Sequence, residues 1–306
     1  MIIRDRSNPF LLLFAWQGTI LPAVLPALAV IFVLSLLLDQ LSAQGIIQRP
    51  GLPAASISIF GLILSIFMVF RNSACHERWW EGRKLWGALI ANARHLARDS
   101  HLLPAAAREC LLYQVILFTR LLRDRLRYQT AHPGRLPEYA DPELPAGTSV
   151  TDLDKRLNPP QHVLEHIQKN LVRRLEQSQL SDILYMTLNR HLVELGNIQA
   201  GCDRIASTPL PFSYSVLLHR SVYAFCLILP FVLEGSTGFW TPFLACLIAY
   251  MFLGLDALGS QLEEPFGTDA NDLPLDFIVR LVERELLDSL GKPLPPAIPV
   301  HNSQLP

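Results

Sequence analysis

The chain has 306 residues, half of them apolar, with a formal net charge of −1 and only 17% charged residues, against roughly 25% in ordinary soluble domains. This balance suits a membrane protein with a substantial wet portion and excludes a nucleic-acid binder, which needs a basic excess to neutralise phosphates. Cys75, Cys110, Cys202, Cys226 and Cys246 lie far apart without a CxxC pair, so they read as reduced, mostly buried thiols rather than a zinc knuckle or disulfide framework.

The N-terminal MIIRDRSNPF carries charge ahead of the first apolar stretch, and no small-residue cleavage site follows at signal-peptide distance, so that stretch is expected to stay. A bilayer core about 30 Å thick needs roughly 20 apolar residues, and four stretches approach this, at about 21–38, 52–70, 215–233 and 239–258. Pro22 and Pro26 in the first are tolerable where neighbours satisfy the freed carbonyls. Arg220, near the start of the third, reads as snorkelling to the interface. EGSTG at 234–238 joins the third and fourth into a helical hairpin. Arg4 and Arg6 precede the first span and Arg71, Arg78, Arg83 and Lys84 follow the second, while the connector 39–51 has Arg49 alone. The positive-inside rule then puts both termini and the long middle region in the cytoplasm.

That middle region, 71–211, is too long for a loop and has amphipathic texture. Helices are expected at about 72–101, 104–128, 160–177 and 180–203, with another near 272–291. The stretch TAHPGRLPEYADPELPAGTSV at 130–150 is an irregular excursion, and the tail GKPLPPAIPVHNSQLP runs extended.

Residues 65–87, SIFMVFRNSACHERWWEGRKLWG, change from apolar to charged along the axis of one helix rather than around it. The switch at Phe70 is the membrane boundary, with Arg71 at headgroup level, and the helix continues into water. Leu62, Ile66 and Phe70 recur at i, i+4 and i+8 and share a face, beside a stripe of small residues, Ala54, Ser58, Gly61 and Ser65. On spacing alone, packing or lipid contact explains the bulky stripe.

RWWEGRKLWG at 78–87, PLPFSY at 209–214, LPF at 229–231 and GLDALGSQLEEPFGTDANDLPLD at 254–276 resemble the bestrophin family, specifically its short bacterial branch, over nearly the whole chain. The resemblance implies an all-α membrane protein forming one channel domain over 1–306. Four membrane helices per subunit adjoin a cytoplasmic helical region, 71–211 and 259–306, in a homopentamer around one pore. It assigns Leu62, Ile66 and Phe70 to the apolar neck of that pore and Leu180 to a second, cytoplasmic constriction. It also matches Gln261, Asp269 and Asp272 to the calcium clasp of animal members. Glu264 stands where that clasp has Asn, however, and the acidic run is interrupted, so opening is expected not to require calcium and no cofactor is expected.

The residues support the channel reading independently. No span carries a polar face suited to a water path, so conduction needs several copies around an axis, and a ring of Ile or Phe can stop ions by dewetting. Glu77 and Glu81 continue the neck face and are candidate vestibule charges, or ion-pair partners of Arg78, Arg83 or Lys84. Trp79, Trp80 and Trp86 read as packing at the helix junction. His162 and His166, spaced i, i+4, lack a third ligand and read as a surface helix.

The expectation is a passive channel of the bacterial inner membrane, with a lipid bilayer and monovalent ions as partners and no nucleic acid. The resemblance implies monovalent cations for the bacterial branch and chloride for animal members; no Lys or Arg lines the proposed neck, so nothing there demands anions, and sodium or potassium is favoured over chloride. An anion-selective bestrophin channel, a membrane-anchored enzyme and a non-conducting scaffold are the rivals.

Overall fold

The computed structural model describes residues 16, 18–46, 54–127 and 156–299. Arg4, Arg6, Arg49, the stretch 130–150 and the end of the tail lie outside the described residues. Those described form helices and no strand: α1 (Leu21–Ala43), α2 (Ala54–Asp99), α3 (Ala105–Leu126), α4 (Pro159–Glu176), α5 (Asp182–Ser207), α6 (Phe212–Thr237), α7 (Thr241–Glu263) and α8 (Leu275–Ser289). Four of them, α1, α2, α6 and α7, contain segments long and apolar enough to cross a membrane.

The elements agree with the sequence in kind and differ at their ends. Helix α1 outlasts the apolar run because Asp39 and Gln40 break its hydropathy without breaking its backbone, and it closes only before Gly45, whose φ is +68°. The hairpin also turns later than EGSTG suggests. Thr237 Oγ1 donates back to the Leu233 carbonyl at 2.9 Å, extending α6, and the chain reverses at Gly238, where φ is +49°. The expected break-free passage from the second span into charged sequence is one 46-residue helix, α2.

The chain divides into two compact units. Among the described residues, the first, apolar unit takes those up to 79 and 209–265, and the second, amphipathic unit takes 80–127, 156–208 and 266–299. Helix α2 contributes to both.

In the apolar unit, α1, α6 and α7 pack on one another. Val24 and Ile31 of α1, Leu64 and Met68 of α2, Val222 and Phe225 of α6, and Ala245 and Ala249 of α7 share one buried cluster. Small side chains on α7 permit close packing. Gly61 serves the same purpose on α2, since a Cβ there would come within 2.9 Å of the Phe225 ring. The hydroxyls of Ser58 and Ser65 bond back to the carbonyls of Ala54 and Gly61 at 2.9 and 2.7 Å, so both are satisfied within the helix.

In the amphipathic unit, α3 is the central helix, buried throughout from Leu111 to Leu122 and packed against α4, α5 and α8. A helix apolar on all sides must lie inside a bundle. Asn158 caps α4 by accepting from the Gln161 amide, and Ser181 caps α5 by accepting from the Leu184 amide.

Candidate pore-lining face and its anchor

Helix α2 buries one narrow seam: Leu64, Met68, Arg71 and Cys75 in the apolar unit, then Gly82, Trp86, Leu89, Ala93 and Leu96 in the other. Steps of three, four and seven residues keep such a seam on one side of a helix. The other side is free within the subunit. Leu62, Ile66 and Phe70 are 64%, 49% and 64% exposed, and Ser73 and Glu77 continue their line, also exposed. Leu62, Ile66 and Phe70 thus share an outward face.

What fixes the rotation of this face is the residue after Phe70. Arg71 is buried inside the apolar unit, where Nη1 meets Asp256 Oδ1 at 2.7 Å and the Asp256 carbonyl at 3.2 Å. Its Nη2 donates to Ser260 Oγ at 3.0 Å and lies 3.5 Å from Glu263. Asp256 is also met by His219 Nδ1 at 2.6 Å, and Arg78 Nε donates to the Glu263 carbonyl at 3.2 Å. Successive residues are about 100° apart around a helix, so pinning Arg71 inward sets the direction of Phe70. Gly259 makes room for the arrangement, because a Cβ there would come within 2.5 Å of Asn72 Oδ1.

Sequence reading put Arg71 at headgroup level and did not single out Asp256. The available signal was an acidic residue within the fourth apolar span, which requires a cationic partner. Arg220, by contrast, is exposed.

The vestibule candidates separate. Glu77 is exposed, whereas Glu81 forms an ion pair with Arg204, a partner 123 positions away rather than the neighbouring basic residues. Trp86 is fully buried and Trp80 exposed, so the expected packing role belongs to Trp86.

Leu180 is only 5% exposed, tucked inside the amphipathic unit immediately before the Ser181 cap. An apolar residue at that position folds back on its own helix. The side chain that reaches free surface on this turn is Ile183, 76% exposed, followed by Met186. Spacing alone does not tell which residue of a capped turn points outward, so the sequence did not single out Ile183.

Of the clasp positions, Asp272 is engaged locally. Asp272 Oδ2 accepts from the Asp269 amide at 2.7 Å, a local turn ahead of α8, and its Oδ1 is buried without a hydrogen-bond partner. Burial pushes the Asp272 carboxyl up to about 6, partly countered by that amide. Calcium takes 6–8 oxygens, several of them ionised carboxylates. Asp269 and Glu264 are exposed. Among the described residues no three His, Cys, Asp or Glu side chains are grouped to hold a metal, and the five cysteines are all free.

Comparison with known proteins identifies the family. The family model described as Bacterial/Fungal Bestrophin protein matches residues 1–288. A protein of Mesorhizobium japonicum named as a voltage-dependent anion channel-forming protein is 37% identical over 304 residues, covering 98% of this chain and 96% of its own. The Escherichia coli K12 protein YneE, with the same descriptive name, is 38% identical over 297 residues, covering 94% and 93%. A solved bacterial bestrophin homologue from Klebsiella pneumoniae superposes with a TM-score of 0.79 at 34% identity, covering 88% of this chain and 99% of its own. None of these names describes an enzyme. The chain is a multi-pass membrane protein and belongs to the bacterial and fungal bestrophin family.

Proposed function

We propose that the chain forms an ion channel whose path lies on an axis shared by five copies. Leu62, Ile66 and Phe70 from each copy make the neck, and the bacterial inner membrane holds the assembly with both termini in the cytoplasm. The amphipathic unit, residues 80–208 and 266–306, is then the cytoplasmic part of one channel domain. The observation that carries this reading is the free apolar face of α2, held outward beside a buried Arg71–Asp256 pair. Three rings of such side chains exclude water when narrow and thereby stop ions without charge. The second constriction passes from Leu180, which is buried, to Ile183.

Monovalent cations, sodium or potassium, are the favoured ions. The face of α2 from Leu62 onward presents no Lys or Arg before Glu77, so the charge nearest the neck attracts cations. Chloride is the second reading, supported by the relatives' naming as anion channel-forming proteins. Opening independent of calcium belongs to this reading, supported by the engagement of Asp272 in a local turn with the Asp269 amide.

The test is flux through purified protein in liposomes, wild type beside the double substitution Ile66→Ala and Phe70→Ala, with sodium and chloride gradients set separately. The double variant is expected to conduct more, with a reversal potential near that of sodium and no dependence on micromolar calcium. Reversal near the chloride potential would discard the cation reading and keep the channel. Absence of current from both proteins would favour a non-conducting scaffold.

A further inference from the structure

Within the amphipathic unit, α3, α8 and the extended tail border an open cavity of about 280 Å³. Three guanidinium groups line it, from Arg120, Arg123 and Arg280, together with the carboxylates of Asp276 and Glu283. Val279 and Ile298 supply an apolar side. The feature plays no part in the pore reading.

The carboxylates around it are already engaged. Glu283 Oε1 holds Arg120 Nη2 at 2.7 Å, with both side chains buried. Asp276 gives Oδ1 to Arg123 at 2.7 Å and Oδ2 to Arg127. Asp124 Oδ1 takes Arg123 through Nε and Nη2 at 2.9 and 2.7 Å. Arg284 donates to the Pro295 carbonyl at 2.5 Å, fixing the tail at the cavity's edge. Arg280, in contrast, lies 3.6 Å from Glu283 Oε2, beyond hydrogen-bond length.

Among the described residues the cluster therefore holds five guanidinium groups, of Arg120, Arg123, Arg127, Arg280 and Arg284, against three carboxylates, of Asp124, Asp276 and Glu283. An excess of guanidinium over carboxylate favours an anion at the cavity, and Arg280, 30% exposed and only loosely paired with Glu283, is the group open to one. The imbalance registers on Arg280, whose guanidinium is made less basic by burial and then by Arg120, Arg284 and Arg123.

We propose that this cavity binds a small soluble phosphate-bearing anion, with Arg280 as the guanidinium that engages it. The planar fork of arginine matches phosphate oxygens two at a time. The volume lies just below the range of small-molecule pockets, room for a phosphate group with a short organic remainder against Val279 and Ile298, and too little for a diacyl lipid.

The experiment is a calorimetric and thermal-unfolding titration of the purified full-length protein in detergent. The probe is inorganic phosphate, against sodium chloride at matched ionic strength. Saturable phosphate binding, with a rise in Tm that chloride does not give, is expected of the wild type. Arg280→Gln is expected to weaken binding at least tenfold while keeping the wild-type oligomer size and helicity. Ile298→Glu, on the extended tail where it cannot unmake a helix, is expected to weaken binding by placing an anion at the cavity wall. Binding by wild type that is not saturable, or that both variants retain unchanged, would overturn the proposal. Glycerol 3-phosphate binding more tightly than inorganic phosphate would assign the ligand as a monoester.

Discussion

Asp272 has a carboxyl pushed up to about 6 by burial, against 3.8 for the free group, and this gives the chain a calculable pH dependence. Because the folded state binds the proton more tightly, the stabilisation it supplies is complete below pH 3.8 and is lost as pH rises through about 6. A carboxyl raised that far above its ordinary range changes stability by roughly 2–3 kcal/mol between the two limits. Asp272→Asn keeps an oxygen for the Asp269 amide and removes the titration. Thermal unfolding of both proteins from pH 4 to 7.5 should therefore show the variant gaining about 2–3 kcal/mol on the wild type across that interval, whatever their constant difference. Parallel curves would mean that Asp272 is solvated. The same scale explains why Arg71 was unreadable as a buried residue: its partners Asp256 and Ser260 lie more than 180 positions away, and local sequence shows only a cation after an apolar run.

At the level of elements, the sequence was most legible where periodicity is long. Helix α2 was expected as one continuous rod across the apolar-to-charged switch and is one, because nothing between Asn72 and Leu85 opposes a helix except Gly82. That glycine sits on the buried seam, where a Cβ would come within 3.1 Å of Phe266. The four spans were likewise legible from hydropathy, while their ends were not, since backbone termination depends on Gly45 and Gly238 rather than on where apolarity stops. Least legible was the turn into α5. There Leu180, Ser181 and Asp182 form an apolar residue, a cap and a first-turn acid, a pattern that turns Leu180 inward and leaves Ile183 out. The two positions should consequently separate by assay. Leu180→Ala should lower stability by about 2–3 kcal/mol in thermal unfolding without changing ion permeability ratios. Ile183→Ala should leave the unfolding temperature within a degree or two and alter the ratios in bilayer recordings. The reverse pattern would return the constriction to Leu180.

For the whole molecule, the decisive fact is how the apolar unit packs. Side chains from α1, α2, α6 and α7 meet in one buried apolar cluster, which offers ions no polar lining. Apolar surface alone does not distinguish lipid from lumen, since both faces of a membrane helix can be apolar. A channel built from such subunits must close a ring, and a ring of identical subunits repeats one interface until the rotation closes. In the proposed channel, closure would bring the same Leu, Ile or Phe from every copy to one level on the axis, which is what a gate of apolar rings requires. Native mass spectrometry of the detergent-solubilised protein should accordingly show one dominant species of five chains, each 34.4 kDa. A cysteine at position 66 should cross-link between subunits under mild oxidation, above the background of the native thiols, if that position lines the axis. A cysteine at position 64, on the buried seam, should not. A monomer or dimer that still conducts would remove the axial pore altogether, because then the path would have to run within a single apolar unit or across one interface.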